Sequence, residues 1–144
     1  MPTLTIQGTE IAYDEKDIVT FSEGFIGLPN LRRMVVVRQS IIEPFLWLVS
    51  LDEDGVAFVV ADARSFFPGY SPVLPADSSF NDGLVDDESP VVLAIVLIAP
   101  DWQKSSANLR APLFISASQM KGAQVVLTDS QYGVDEKLPL AMAA

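Results

Sequence analysis

PFLWLVSLDEDGVAFVVADARSFFPGY, residues 44–70, is the stretch whose reading decides the fold. It holds two apolar runs, Phe45-Leu46-Trp47-Leu48-Val49 and Val56-Ala57-Phe58-Val59-Val60-Ala61, separated by the acidic turn Asp52-Glu53-Asp54-Gly55. Asp-Gly between two such runs is a short-range hairpin signal, because glycine enters φ > 0 without steric cost. Neither run alternates between apolar and polar residues, so both strands are expected to be covered on both faces, as in a barrel or sandwich core. The tip must then face water. The exit, Ser65-Phe66-Phe67-Pro68-Gly69-Tyr70, is aromatic and broken by proline and glycine, and reads as a loop.

Further runs flank this hairpin. Thr3 to Gln7 alternates with period two and turns at Gly8-Thr9 into Glu10 to Tyr13, a small hairpin with one exposed face. Ile18 to Phe21 and Met34 to Arg38 are short β-branched strands. Between them, Ser22 to Asn30 is a glycine-rich turn, and Leu28 to Arg33 suggests a single helical turn. Ala76 to Leu84 is the best helix candidate, with Asp77 or Ser78 as cap. Val91 to Ile98 is uniformly apolar and flanked by Pro90 and Pro100, which favours a buried strand. Asn108 to Ile115, broken at Pro112, and Gly122 to Leu127 complete the set. The stretch from Thr128 onward is expected to be part loop, with 138–144 frayed.

The fold expected is therefore all-β: one domain over residues 1–144, a small β-barrel-like or sandwich fold of about eight to ten short strands with one or two short helices. Trp47, Phe58, Ile95 and Val125 are expected in its core, and Trp102, between polar neighbours, on its surface.

Composition limits the chemistry. The chain has 19 acidic and 9 basic residues, a net charge of −10, which argues against direct nucleic-acid binding and is compatible with a basic protein partner. Histidine and cysteine are absent, which removes Ser-His-Asp and Cys-His catalysis and the usual zinc sites. The acidic turns Asp52-Glu53-Asp54 and Asp86-Asp87-Glu88 lack the alternating ligands of a calcium loop, so no metal and no cofactor is expected. No signal peptide or membrane-length apolar run is visible, and a cytoplasmic location is expected. An enzyme or ligand carrier built on carboxylates is the alternative reading.

An ordered set of motifs resembles the flagellar assembly factor FliW family. The set comprises Phe21-Ser22-Glu23-Gly24-Phe25-Ile26-Gly27, Pro44 to Ser50, Phe58 to Asp62, and Phe66-Phe67-Pro68-Gly69-Tyr70. It continues through Val91 to Val96, Asn108-Leu109-Arg110-Ala111-Pro112 and Lys121 to Leu127. The chain departs from the usual family residues at Ser22, Leu28, Val49 and Ser116-Ala117. The resemblance implies a compact non-enzymatic β-barrel protein that binds the RNA-binding translational repressor CsrA and relieves repression of flagellin mRNA. It also implies binding to flagellin, which couples flagellin synthesis to assembly. The partner-binding candidates rest on chemistry alone: Asp52, Glu53, Asp54, Asp86, Asp87 and Glu88 as charge, which otherwise read as solvated turns, and Phe66, Phe67 and Tyr70 as apolar anchors, which otherwise read as a small core packed under the loop.

Overall fold

The computed structural model describes residues 2–74, 89–127 and 131–139. The expected helix at Ala76 to Leu84 and the acidic cluster Asp86-Asp87-Glu88 lie outside the described residues. The described strands are β1 (Thr3–Ile6), β2 (Thr9–Ala12), β3 (Ile18–Thr20), β4 (Arg33–Val37), β5 (Leu46–Ser50) and β6 (Ala57–Asp62). They continue as β7 (Val91–Leu97), β8 (Ser106–Ala107), β9 (Leu113–Ser116), β10 (Lys121–Gln124) and β11 (Glu136–Lys137). One turn of helix, α1 (Ala63–Phe66), follows β6 directly, where a loop was expected; the Asp62 carboxylate caps it by accepting from Arg64 N–H.

Seven strands close into a barrel in the order β7-β6-β5-β4-β3-β10-β9, with β9 pairing back to β7. The β5–β6 hairpin lies in this ring with Leu48 opposite Phe58, and Gly55 takes φ +81° at its tip, as its sequence required. Every neighbour in the ring is antiparallel except β3 and β10, which meet in parallel through one pair, Lys121 and Thr20. Phe21 fills this seam. It is fully buried, its ring centroid is 4.7 Å from that of Phe25, and Phe25 stacks on Phe58 at 5.3 Å. Only glycine fits opposite it, because a Cβ on Gly122 would come within 2.6 Å of the Phe21 ring.

Strand periodicity sorts the apolar residues into an inside and an outside. Met34, Val36, Leu46, Leu48, Phe58, Val60, Leu93, Ile95, Leu113 and Ile115 share the cluster inside the barrel. Their neighbours along the strands point outward into two further clusters. Val35, Val37, Trp47, Val49 and Ala57 pack against Leu4 and Ile6 of the β1–β2 hairpin. Ala61, Val92, Ala94, Val96 and Phe114 pack against Phe45, Phe66, Tyr70, Leu127 and Leu138. Burial on both faces explains why the strands carry no polar alternation.

The structure corrects several expectations. Trp47, Phe58, Ile95 and Val125 are half-buried rather than enclosed, each packing against a cluster from its margin. The Trp47 indole donates to Gln39 Oε1 at 2.9 Å, which lets the ring sit partly at the surface. Leu28 to Arg33 forms no helical turn; Phe25 and Leu28 exchange backbone hydrogen bonds of 3.0 and 2.8 Å around Gly27 at φ +78°. The C-terminal stretch is better anchored than expected, since β11 pairs with β8 and Leu138 is buried. Trp102 is 52% exposed, as expected.

Replacing Phe21 by Ala is expected to cost about 3–5 kcal/mol in a urea titration. Gly122→Ala is expected to cost about 1–3 kcal/mol by overpacking. The double variant Phe21→Leu/Gly122→Ala should be less destabilised than the two single changes added together, because the shorter side chain makes room for the new methyl.

Candidate functional site

The β5–β6 tip is built by two side chains that satisfy its backbone. Ser50 Oγ, at the end of β5, accepts from the N–H groups of Asp52 and Glu53 at 3.1 and 3.0 Å. The Asp52 carboxylate reaches across to the chain entering β4, where Oδ2 accepts from Arg32 N–H at 2.8 Å and Arg33 N–H at 2.7 Å. Its Oδ1 accepts from Arg33 Nε at 3.1 Å. Asp52 was expected to be solvated like its neighbours; the residue is exposed as expected, but its side chain, 23% exposed, is engaged and clamps the tip to β4. Partial burial works against its ionisation, but the two backbone donors and the Arg33 guanidinium outweigh that cost, holding the carboxyl below its ordinary value. Glu53 and Asp54 are exposed and remain as the free charge of the tip.

The aromatic candidates separate in the same way. Tyr70 is buried, donates its hydroxyl to the Leu109 carbonyl at 2.6 Å, and meets Tyr132 edge-on at 4.6 Å. It fastens the loop and is not an exposed anchor. Phe66 packs on Phe45 with ring centroids 5.7 Å apart. Phe66 and Phe67 are both half-buried, so each keeps part of its surface accessible. The structure thus places the acidic tip and the aromatic loop at different ends of β6.

Two concavities lie beside the N-terminal hairpin, and the first reaches the acidic tip at Asp54. A groove of about 540 Å³ runs between β1 and the β5–β6 hairpin, lined by Thr3, Thr5, Val49, Asp54 and Ala57 among others. A second, of about 580 Å³, extends toward Ile41, which is 86% exposed. The two meet at Ile6, Gln7 and Trp47, which line both. No motif marks this surface: β5 and β6 read as covered on both faces, and the half-burial of Trp47 and Ala57 shows that the cover is incomplete here. Among the described residues, no three acidic side chains converge as a metal site would require. No helix among them is long and apolar enough to cross a membrane.

A family model described as FliW protein matches residues 4–138. The chain belongs to the FliW family. The flagellar assembly factor FliW of Syntrophotalea carbinolica is 34% identical over 137 residues, covering 95% of this chain and 97% of that one. The flagellar assembly factor FliW of Clostridium beijerinckii is 32% identical over 129 residues, covering 90% and 92%. The crystal structure of a flagellar assembly factor FliW superposes with a TM-score of 0.85 at 26% identity, covering 94% of this chain and 96% of that chain. The all-β architecture is that of FliW. Two positions singled out in the sequence fall at contrasting sites: Leu28 is exposed in the Phe25–Leu28 turn, and Val49 is buried under the β1–β2 hairpin.

Asp52→Ala is expected to cost about 1–2 kcal/mol at neutral pH, because three donors lose their acceptor. The folded carboxyl is the stronger acid, so its stabilisation is full above the unfolded value of about 3.9 and is lost as pH falls through the lower folded value. The gap between wild type and Asp52→Ala in denaturant titrations should therefore narrow as pH is lowered from 6 to 3.

Proposed function

We propose that this chain is a non-catalytic cytoplasmic antagonist of the translational repressor CsrA, which it binds to relieve repression of flagellin mRNA. In the same reading it binds flagellin, so that free flagellin withdraws it from the repressor and couples synthesis to flagellum assembly. The observation that carries this reading is the FliW family match across residues 4–138. The net charge of −10 supports it. A repressor that binds RNA must present Lys and Arg to phosphates, and an acidic protein seated on or beside that surface opposes RNA with its own field.

Glu53 and Asp54 are the residues proposed to supply this field at the hairpin tip, where both are exposed. Asp86, Asp87 and Glu88 add three acidic residues to the same total. Asp52 contributes indirectly, by holding the tip in place through Arg32 and Arg33. Phe66 and Phe67 keep accessible ring surface and are the proposed apolar anchors of the aromatic loop. Charges at the rim of an interface act mainly on association rate and its salt dependence.

The double variant Glu53→Lys/Asp54→Lys is expected to associate with CsrA about tenfold more slowly at low salt and with a flatter salt dependence, while keeping its fold. Stopped-flow association at several salt concentrations measures this. Wild-type rate and salt slope in the double variant would remove the tip from the mechanism, and absence of any complex with CsrA would overturn the function proposed.

A further inference from the structure

The β1–β2 hairpin covers the barrel but leaves an edge of its own. Among the described residues, β1 pairs with β2 alone, from Thr3 opposite Ala12 to Ile6 opposite Thr9. The connecting residues Gln7 and Gly8 both have positive φ, +50° and +81°, the two-residue turn typical of tight hairpins. Such a turn makes Ile6 and Thr9 a hydrogen-bonded pair, and the pattern alternates from there. Leu4 with Ile11 is the next such pair, and Pro2 with Tyr13 the one after; Tyr13 N–H indeed donates to the Pro2 carbonyl at 3.0 Å. The backbone N–H and C=O of Thr3 and Thr5 therefore point away from β2. Both residues line the 540 Å³ groove.

We propose that this edge accepts an extended segment of a basic protein partner as a third strand of the β1–β2 sheet, seated over β5 and β6. The proposal rests on the reading of the chain as an antagonist of a basic repressor, and it adds a backbone docking edge beside the acidic tip to that reading. Three features of the groove select this occupant. The outward donors and acceptors of Thr3 and Thr5 match a strand, since backbone pairing supplies the affinity in strand addition. The floor offers Trp47, Val49 and Ala57, of which Trp47 and Ala57 are half-buried, so alternate side chains of the added strand meet apolar surface. Charge favours a basic segment: Asp54 lines the groove, while Arg33, the cation of the lining, is engaged by Asp52. A second copy of the chain would set two molecules of net charge −10 against each other, and repulsion disfavours it.

The test uses the full chain and CsrA from the same organism. Thr5→Pro deletes the outward donor while leaving the pairs at Leu4 and Ile6 intact, and proline is tolerated at an edge strand. Thr5→Val keeps the donor and the side-chain shape. Thr5→Pro is expected to weaken CsrA binding about tenfold in titration calorimetry, and Thr5→Val less than about twofold. In wild type, the Thr3 and Thr5 amides should exchange with deuterium more slowly once CsrA is bound, a readout independent of whether the proline variant folds. Equal affinity of wild type and a folded Thr5→Pro variant, or unchanged exchange at Thr3 and Thr5 in a formed complex, overturns the strand-docking surface and leaves the antagonist reading standing. Failure of wild type to bind CsrA at all overturns both. Concentration-dependent protection of the same amides without CsrA would assign the edge to self-association and also overturn the proposal.

Discussion

The barrel strands of this protein are apolar on both faces, and the structure follows from the need to cover the outer one. A closed barrel buries its inward residues, here Met34, Leu48, Val60, Leu93 and Leu113 with their neighbours. It leaves Val35, Val37 and Val49 on one outer flank, and Val92, Ala94 and Phe114 on another. Each buried aliphatic side chain is worth roughly 1.5–3 kcal/mol, so neither flank can be left to water. The β1–β2 hairpin covers the first. The aromatic loop and the C-terminal stretch through Leu138 cover the second.

The segment Asn108-Leu109-Arg110-Ala111-Pro112 ties the second cover together. It lies between β8 and β9, which pair in turn with β7. The Asn108 carboxamide accepts from Arg110 and Ala111 N–H at 3.1 and 3.0 Å and shapes the bend. Its carbonyls then accept three hydrogen bonds from two other pieces of chain: the Tyr70 hydroxyl at Leu109, and the N–H groups of Leu127 at Arg110 and Val125 at Pro112. A conformation fixed at five residues thus positions the aromatic loop and the chain leaving β10.

How much of this was legible in the sequence depends on the range of the interaction. The two hairpins were legible because their signals are local: Asp54-Gly55 and Gly8 between apolar runs demand turns, and the uniform apolar character of β5, β6 and β7 demands two-sided burial. The Asp52 clamp was not, because its partners Arg32 and Arg33 are 19–20 residues away and an acidic turn reads as solvated. Tyr70 was open to two readings, packing under the loop or anchoring a partner, and the structure bears out the first; the partner that decides it, the Leu109 carbonyl, is 39 residues distant. Trp47 failed in the opposite direction, since an apolar strand conceals which face lies at the margin of a cover. The groove beside Trp47 is a consequence of that margin and has no motif of its own.

In the function proposed, an acidic, non-catalytic barrel opposes RNA at a basic repressor and yields to flagellin. The most direct measurement follows labelled flagellin-leader RNA bound to CsrA by fluorescence anisotropy while the purified chain is added, and then flagellin. The account predicts that the chain releases the RNA in a saturable, salt-sensitive manner and that subsequent flagellin restores the bound signal. RNA that stays bound at saturating chain, with CsrA shown to be folded and active, would contradict it.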